Sequence, residues 1–292
     1  MSSAPAALLA PVLAQTAPTT PVNAPIGLTW VPYLAFGLAL LVVALVARLR
    51  SRGRDRGFGE FLLIRGSALS LLGLVILLLA DAAAEGDGLT AVDRPVWSWF
   101  VAHRSGVGTI AAKVVTEVGS TAVMALLALL AAGWLAIRAK RRGDAALVAV
   151  VTAGAGLLVA VSKPIVGRVR PPEEFRLVTE ANQSFPSGHS LASMAVLGVL
   201  AVVFLPRLDS ARLRTAGYLM VAVAILAIGA SRLYLGVHWS TDVVGGWLTG
   251  AGWLLACLTL RTLWQRYPVV LRWRSRTLLD HRPRRSPVRT SS

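Results

Sequence analysis

The 292-residue sequence has few charged residues and a single cysteine. Only 15% of its residues are Asp, Glu, Lys or Arg, whereas 55% are hydrophobic and the mean hydropathy is +0.64. A soluble globular protein cannot bury so much apolar surface, so the composition excludes that class and favours a polytopic helical membrane protein. Cys257, alone and within an apolar run, excludes an intramolecular disulfide and a thiolate metal cluster, and we interpret it as a core residue.

The first 27 residues contain neither Lys nor Arg and are rich in Ala, Pro and Thr. A secretory signal peptide starts with a positively charged region, which this segment lacks. We therefore predict that residues 1–27 form a disordered extracytoplasmic leader. The apolar run that follows is either an extra membrane helix outside a catalytic bundle or a targeting segment that is cleaved.

Apolar runs near the ~20 residues that a bilayer requires recur along the rest of the chain. They cover residues 28–47, 61–84, 109–137, 144–163, 190–205, 215–233 and 241–262. This pattern predicts an all-α integral membrane protein, with a six-helix bundle preceded by one extra N-terminal transmembrane helix. We divide the chain into the leader, an extra helix with a basic loop at 28–59, a catalytic core at 60–265 and a basic tail at 266–292.

The basic residues of the chain, which carries a formal net charge of +16, are unevenly distributed. Arginines cluster after the first, third and fifth predicted spans and in the tail from Arg261 to Arg289. By the positive-inside rule these segments face the cytoplasm of a multi-pass cell-membrane protein, and the N-terminus and the other loops face outward. A basic tail also suits nucleic acid, but arginines that abut apolar runs indicate topology and contact with anionic lipid, so we expect the bilayer and no nucleic acid as partner.

Three short polar motifs interrupt the apolar sequence, and all are predicted on the outer face. Charged side chains near a bilayer core are costly and tend to be functional. The loop 163–189 is basic on the side where the charge rule disfavours basic residues, and a bound phosphate or diphosphate explains the exception because arginine forks match phosphate oxygens. The motifs are Lys163-x6-Arg170-Pro171, Pro186-Ser187-Gly188-His189 and Ser231-Arg232-x5-His238-x3-Asp242.

The second motif immediately precedes an apolar run, which places it at a helix start. Ser187 is positioned to cap the helix, and Gly188 lets the backbone approach an anion closely. His189 would then stand beside the bound group as a proton donor. The structural alternative is a capped helix with a hydrogen-bonded histidine.

The third motif combines a histidine with an aspartate four residues later. If a helix begins near Trp239, Asp242 reaches one ring nitrogen of His238 and leaves the other free to attack. We expect His238 at an exposed helix end. The alternative is a buried ion pair that closes two helix ends.

Two further segments carry polar or aromatic residues between or within the spans. Residues 93–104 predict a short interfacial helix on the outer face, with Trp97, Trp99 and Phe100 at headgroup depth. Lys113 and Glu117 are four residues apart, so we expect them to pair on one helix face toward the protein interior and brace the bundle.

Together the three motifs resemble those of the type 2 phosphatidic acid phosphatases, relatives of bacterial acid phosphatases and vanadium haloperoxidases. The resemblance covers roughly residues 60–265 and includes Pro171 and Ser231. It implies a metal-independent phosphatase without a cofactor, in which His238 forms a phosphohistidine, Asp242 orients it, and His189 protonates the leaving oxygen and then activates water. It also implies that the phosphate is held by Lys163, Arg170, Ser187, Gly188 and Arg232.

The resemblance does not fix the substrate, since relatives use lipid phosphates, isoprenyl diphosphates and even sugar phosphates. Together with the predicted topology it favours a membrane phosphatase that acts in the outer leaflet on an isoprenyl diphosphate, phosphatidate or phosphatidylglycerophosphate. A non-catalytic membrane protein that binds or translocates phosphorylated lipids is the alternative, although binding alone needs the cations but neither an acid nor a nucleophile. A metallohydrolase is a weaker third hypothesis, because the histidines lack an accompanying carboxylate cluster and nearby Arg and Lys would repel a divalent ion.

Overall fold

The computed structural model describes residues 37–43, 45 and 56–266, and every regular element among them is helical. The predicted all-α class is confirmed. Residues 37–43 are helical, and 3-10 segments occur at Gly88–Val92, Glu173–Phe175 and Leu205–Arg207. From residue 56 onward the α-helices are α1 (Arg56–Glu85), α2 (Asp93–Ala102), α3 (Gly106–Val118), α4 (Thr121–Ile137), α5 (Arg142–Val166), α6 (Gly188–Phe204), α7 (Ala211–Tyr234) and α8 (Ser240–Arg266).

Five of the described helices, α1, α5, α6, α7 and α8, are long and apolar enough to cross a membrane. The pair α3 and α4, bent by 44°, gives a sixth candidate if it counts as one span. These candidates agree with a six-helix membrane core. Most of the predicted span 28–47, the leader and nearly all of the basic tail lie outside the described residues.

The run 109–137, predicted as one span, is divided between α3 and α4. Gly119 is the C-cap of α3, and Ser120 caps α4 by accepting a hydrogen bond from the Val123 amide at 3.3 Å. A Cβ on Gly119 would lie 2.5 Å from Ile228 of α7, so the bend is also a close helix contact. Hydropathy averaged over a window does not detect this break, because a Gly-Ser pair with a capping hydroxyl interrupts a helix locally.

Helix α6 lies at the centre of the bundle and packs against α4, α5, α7 and α8. Its Leu191 and Val199 are fully buried, together with Val148 and Val151 of α5. Cys257 of α8 belongs to the same cluster, as expected for a small core residue. The outer faces carry exposed large apolar residues instead, among them Leu71, Leu129 and Leu219, an arrangement typical of helices that face lipid.

Helix α2 forms where the interfacial helix was predicted, but the placement of Trp97 at headgroup depth is wrong. Trp97 is only 2% exposed and packs edge-on against Phe175, with ring centroids 5.4 Å apart, and against Trp239 at 6.0 Å. Trp99, two residues later, is 57% exposed. One tryptophan of this segment therefore packs in the protein interior and the other lies at the surface.

The expectation that Lys113 and Glu117 pair toward the interior is also wrong. Both residues are exposed, and no ion pair joins them in the described part of the chain. Ala112 and Thr116, which have the same four-residue spacing, are buried and form the inward face of α3. Spacing identified a shared face but not the direction in which it points.

The end of the bundle opposite the three motifs is closed by Asp144, a buried carboxylate near the start of α5. It pairs with Arg141 at 2.5 Å, with Arg261 of α8 at 2.5 Å and with Arg207 at 3.2 Å. These contacts join α5 and α8 to the 3-10 segment after α6. They tie the helices together far from the motifs.

Gly250→Ala is expected to destabilise the protein, because α6 and α8 touch through backbone at this point. A Cβ would lie 2.7 Å from the Leu191 carbonyl oxygen and 3.0 Å from Met194 Cβ. Overpacking of this kind costs about 1–3 kcal/mol. The matched control is Gly73→Ala in α1, where a Cβ would meet no atom of another described segment within 4 Å and alanine favours the helix. Thermal unfolding in detergent measures both, and equal shifts in Tm would contradict the close α6–α8 contact.

Candidate active site

His238 and Asp242 meet at the start of α8, as their spacing predicts. The Nδ1 atom of His238 lies 3.2 Å from Oδ2 of Asp242, and the Trp239 amide donates to the same oxygen at 2.9 Å. The Ser184 hydroxyl donates to that oxygen as well. Because Asp242 accepts at Nδ1, the ring carries its proton there and leaves Nε2 unprotonated.

The expected exposure of His238 at a helix end is wrong: the residue is only 1% exposed. Burial outweighs the attraction of Asp242 and lowers the pKa of His238 to about 4. The imidazole is therefore neutral near pH 7. A neutral ring is the form that can attack an electrophile.

A tight turn between α7 and α8 places Arg232, before the turn, and His238, after it, in the same site. Gly236 has φ +74°, a conformation that favours glycine, and a Cβ there would lie 2.7 Å from the Phe175 carbonyl oxygen. Leu235 and Val237 on either side are fully buried and anchor the turn. This local geometry buries Arg232 and His238 on the same side of the bundle.

Arg170 lies beside the unprotonated nitrogen of His238, and its Nη1 atom donates to Nε2 at 3.1 Å. The same Nη1 donates to the Val237 carbonyl at 2.7 Å, and Nε donates to the Asn182 carbonyl at 2.7 Å. Burial lowers the pKa of Arg170 to about 10, so the guanidinium stays charged at neutral pH. An oxyanion held by Arg170 would lie next to Nε2 of His238.

Lys163 and Arg232 supply two further buried cations. Gly167, in a left-handed conformation, ends α5 just after Lys163, whose ammonium donates to Asn182 Oδ1 at 3.1 Å and to the Gln183 carbonyl. Arg232 is 2% exposed and donates to Thr116 Oγ1 at 2.7 Å. Its Nε has no hydrogen-bond partner among the described residues, and a buried donor without a partner indicates a place for an acceptor such as phosphate.

Glu180 is a site residue that the sequence interpretation missed. Its carboxylate binds Arg232 and also Arg170, the latter at 3.4 Å. Burial, the largest effect, would raise the pKa of Glu180, but the two arginines together hold it below its ordinary value. The anionic carboxylate thus occupies arginine donors that a substrate phosphate would use.

The start of α6 adds the second motif to the same end of the bundle. Ser187 is the N-cap, fully buried, and its amide donates to the Asp242 carbonyl at 3.0 Å. First-turn amides of a helix lack intrahelical acceptors and suit an anion. A Cβ on Gly188 would meet only ordinary contacts, the nearest being Val159 at 3.5 Å, so packing does not demand glycine there. His189 is partly exposed at this helix start.

The remaining arginines of the basic loop bind groups other than Glu180 and His238. Arg176 donates from Nε and Nη2 to the Pro171 carbonyl, at 2.8 and 2.6 Å, and closes the loop on itself. Arg168 binds Asp242 and Asp93 instead. Sequence reasoning also missed Asp93, Asn182 and Ser184, because their partners are distant in the chain and no short motif contains them. Among the described residues, no group of three or more His, Cys, Asp or Glu side chains could hold a metal ion.

The chain is similar to known membrane phosphatases. The sequence profile of the PAP2 superfamily matches residues 144–266. Phosphatidylglycerophosphatase B of Bacillus subtilis is 33% identical over 181 residues, which cover 61% of this chain and 86% of that protein. The chain belongs to the PAP2 superfamily. The resemblance inferred from the three motifs is thereby confirmed.

The chain is also similar to a second phosphatase and to a solved structure. Decaprenylphosphoryl-5-phosphoribose phosphatase of Mycolicibacterium smegmatis is 37% identical over 128 residues, 41% of this chain and 61% of that protein. A crystal structure of a PAP2-type phosphatidylglycerolphosphate phosphatase from Bacillus subtilis has a TM-score of 0.61 and 29% identity, and covers 68% of this chain and 98% of that chain. This PAP2 structure supports the transmembrane fold.

Glu180→Gln is expected to tighten the binding of inorganic phosphate severalfold. The neutral amide no longer competes as an anion for Arg170 and Arg232, so phosphate gains those donors at lower cost. Calorimetric titration of the purified protein with phosphate measures the effect independently of turnover. Glu173→Gln is the matched control, because Glu173 is an exposed acid in the same loop. Equal affinities in wild type and Glu180→Gln would show that the carboxylate does not occupy the phosphate position.

Proposed function

We propose that the chain hydrolyses a lipid phosphate or diphosphate through a phosphohistidine intermediate at the extracytoplasmic face of the cell membrane. Membership of the PAP2 superfamily makes the chain a phosphatase, and its relatives act on phosphorylated lipids. They include phosphatidylglycerophosphatase B and an undecaprenyl-diphosphatase of Sulfolobus acidocaldarius, which is 31% identical over 100 residues. The chain is a membrane lipid phosphatase, and its mechanism, leaflet and substrate are the subjects of this proposal.

The observation that supports the mechanism best is the neutral, buried His238 between Asp242 and Arg170. A phosphate that displaces Glu180 would accept hydrogen bonds from Lys163, Arg170, Arg232 and the first amides of α6 at Gly188. Nε2 of His238 then attacks phosphorus, an N–P bond forms, and the P–O bond to the lipid breaks. The cations stabilise the charge that redistributes over the equatorial oxygens.

Two proton transfers complete the cycle. In the first, His189 gives its proton to the departing lipid oxygen, which leaves as a hydroxyl or as a lipid monophosphate. In the second, the neutral His189 takes a proton from water, whose oxygen attacks the phosphohistidine and releases inorganic phosphate. Asp242 keeps Nδ1 of His238 hydrogen-bonded throughout and stabilises the cationic ring of the intermediate.

A non-catalytic carrier of phosphorylated lipids would use the same three cations. The buried pair of His238 and Asp242 argues against that alternative, because cations alone suffice to bind an anion. Burying an imidazole with one fixed tautomer has a cost that binding does not require. The metallohydrolase alternative is disfavoured by the donors themselves, since Asp242 and Glu180 are already bound to arginines.

The proposed topology places the motif end of the bundle outside the cytoplasm. Arg141, Arg207 and Arg261 gather at the opposite end around Asp144, where the positive-inside rule places the cytoplasm. The substrate phosphate then lies in the outer leaflet. We retain residues 60–265 as the catalytic unit, with the extra N-terminal helix and the basic cytoplasmic tail as additions to it.

Phosphate release is expected to persist in EDTA and to be inhibited by vanadate. Transition-state charge is assigned to Lys163, Arg170 and Arg232, and vanadate imitates five-coordinate phosphorus. The measurement is phosphate release from a panel of purified lipid phosphates and diphosphates. Activity that disappears on chelation and returns with a divalent ion would establish the metallohydrolase instead.

Cysteine labelling on intact cells is expected to reach the motif end alone. With Cys257 replaced, Ala181→Cys should react with a membrane-impermeant maleimide before lysis, and Asp209→Cys should react only afterwards. Both positions are exposed, and Asp209 is preferred to its neighbour Ser210 because Ser210 caps α7. The reverse labelling pattern would place the site on the cytoplasmic side and refute the outer-leaflet assignment.

A further inference from the structure

A second carboxylate lies behind His238 and Asp242, linked to them by Arg168. Nη1 of Arg168 donates to Asp242 Oδ1 at 2.6 Å, and Nη2 donates to Asp93 Oδ2 at 2.6 Å. The arginine side chain is 8% exposed and both carboxylates are less so. His238 contacts Oδ2 of Asp242, so Arg168 and His238 bind different oxygens of the same carboxylate.

Asp93 holds the start of α8 although it belongs to α2. Its Oδ1 accepts from the Ser240 hydroxyl at 2.6 Å and from the Thr241 amide at 2.8 Å, and its Oδ2 accepts from the Thr241 hydroxyl at 2.6 Å. A carboxylate at a helix start satisfies free amides and interacts favourably with the helix dipole. Asp93 therefore fixes the turn of helix from which Asp242 projects.

Neither Asp93 nor Arg168 reaches the cations that would hold phosphate. The polar contacts of Arg168 are with Asp93, Asp242 and the Thr241 hydroxyl, and its guanidinium lies 5.9 Å from the Trp239 ring centroid. Its action on the reaction must therefore pass through Asp242. Without Arg168, the Asp242 carboxylate loses its charged donor at Oδ1 and is held in the site through Oδ2 alone, so its orientation toward the imidazole is less tightly fixed.

We propose that Asp93 and Arg168 are positioning residues that hold Asp242, and through it His238, in the reactive orientation. The proposal rests on the proposed function, because it presumes that His238 is the nucleophile. It makes α2 part of the catalytic apparatus. It also explains why a buried carboxylate stands at the start of a short helix that carries an exposed tryptophan on its surface.

The test separates turnover from phosphate binding in Arg168→Met and Asp93→Asn. Each substitution should lower kcat about 10- to 100-fold, the range found when a supporting partner of an active-site group is lost or geometry shifts by about 1 Å. The Kd of inorganic phosphate should stay within about twofold of wild type. Arg168→Lys should recover part of kcat, because the ammonium keeps the charge but cannot span both carboxylates. The kcat of the double variant should fall no further than that of the more impaired single variant, since both residues act through Asp242.

Asp144→Asn and Arg261→Met supply the matched control at the other end of the bundle. They break the contact between Asp144 of α5 and Arg261 of the same helix α8, so they should lower Tm but leave the kcat of the folded protein unchanged. Unchanged kcat in folded Arg168→Lys, Arg168→Met and Asp93→Asn would overturn the proposal, as would a loss of phosphate affinity that matches the loss of kcat. Either outcome concerns the positioning role alone, because the wild-type protein would still release phosphate. If the wild-type protein released no phosphate from any lipid of the panel, the proposed function itself would be contradicted.

Discussion

The hydrogen bonds to the Asp242 carboxylate are the constraint on which the rest of the site depends. One oxygen orients His238 and receives the Trp239 amide and the Ser184 hydroxyl, and the other binds Arg168. These donors come from the turn that precedes α8 and from the loop between α5 and α6, so the carboxylate also fixes how these elements meet. An unpaired buried carboxylate would be strongly destabilising, which is why the surrounding donors and the catalytic geometry are specified together.

Three buried cations lie together in the candidate site. Lys163, Arg170 and Arg232 are each less than one-tenth exposed, and the segment 180–183 supplies the carboxylate and carbonyl groups that compensate them. A bound phosphate must displace some of these groups, because most N–H donors of Arg170 and Arg232 already have hydrogen-bond partners. Low dielectric strengthens each contact to an oxyanion, whereas a neutral lipid headgroup would gain little from displacing Glu180.

The sequence was sufficient to predict the helical class, the membrane core and the residues of the three motifs, because hydropathy and short spacings are local signals. It was insufficient for contacts that only the folded chain creates. Asp93 meets Thr241 across 148 positions, and Glu180 meets Arg232 across 52. The burial of His238 and Trp97 was missed for a related reason: the loop 163–189 folds over helix ends that hydropathy places at the membrane surface. The hydrophobic periodicity of a helix carries no information about a loop that folds over its end.

Capture of the covalent intermediate tests the central claim most directly. Purified protein mixed with a lipid substrate labelled in its terminal phosphate and quenched in alkali should carry label on His238, located by peptide mapping. His238→Gln should carry none and release no phosphate, whereas Glu173→Gln, altered at an exposed acid, should label like wild type. Label on another residue, or full phosphate release by His238→Gln, would contradict His238 as the nucleophile.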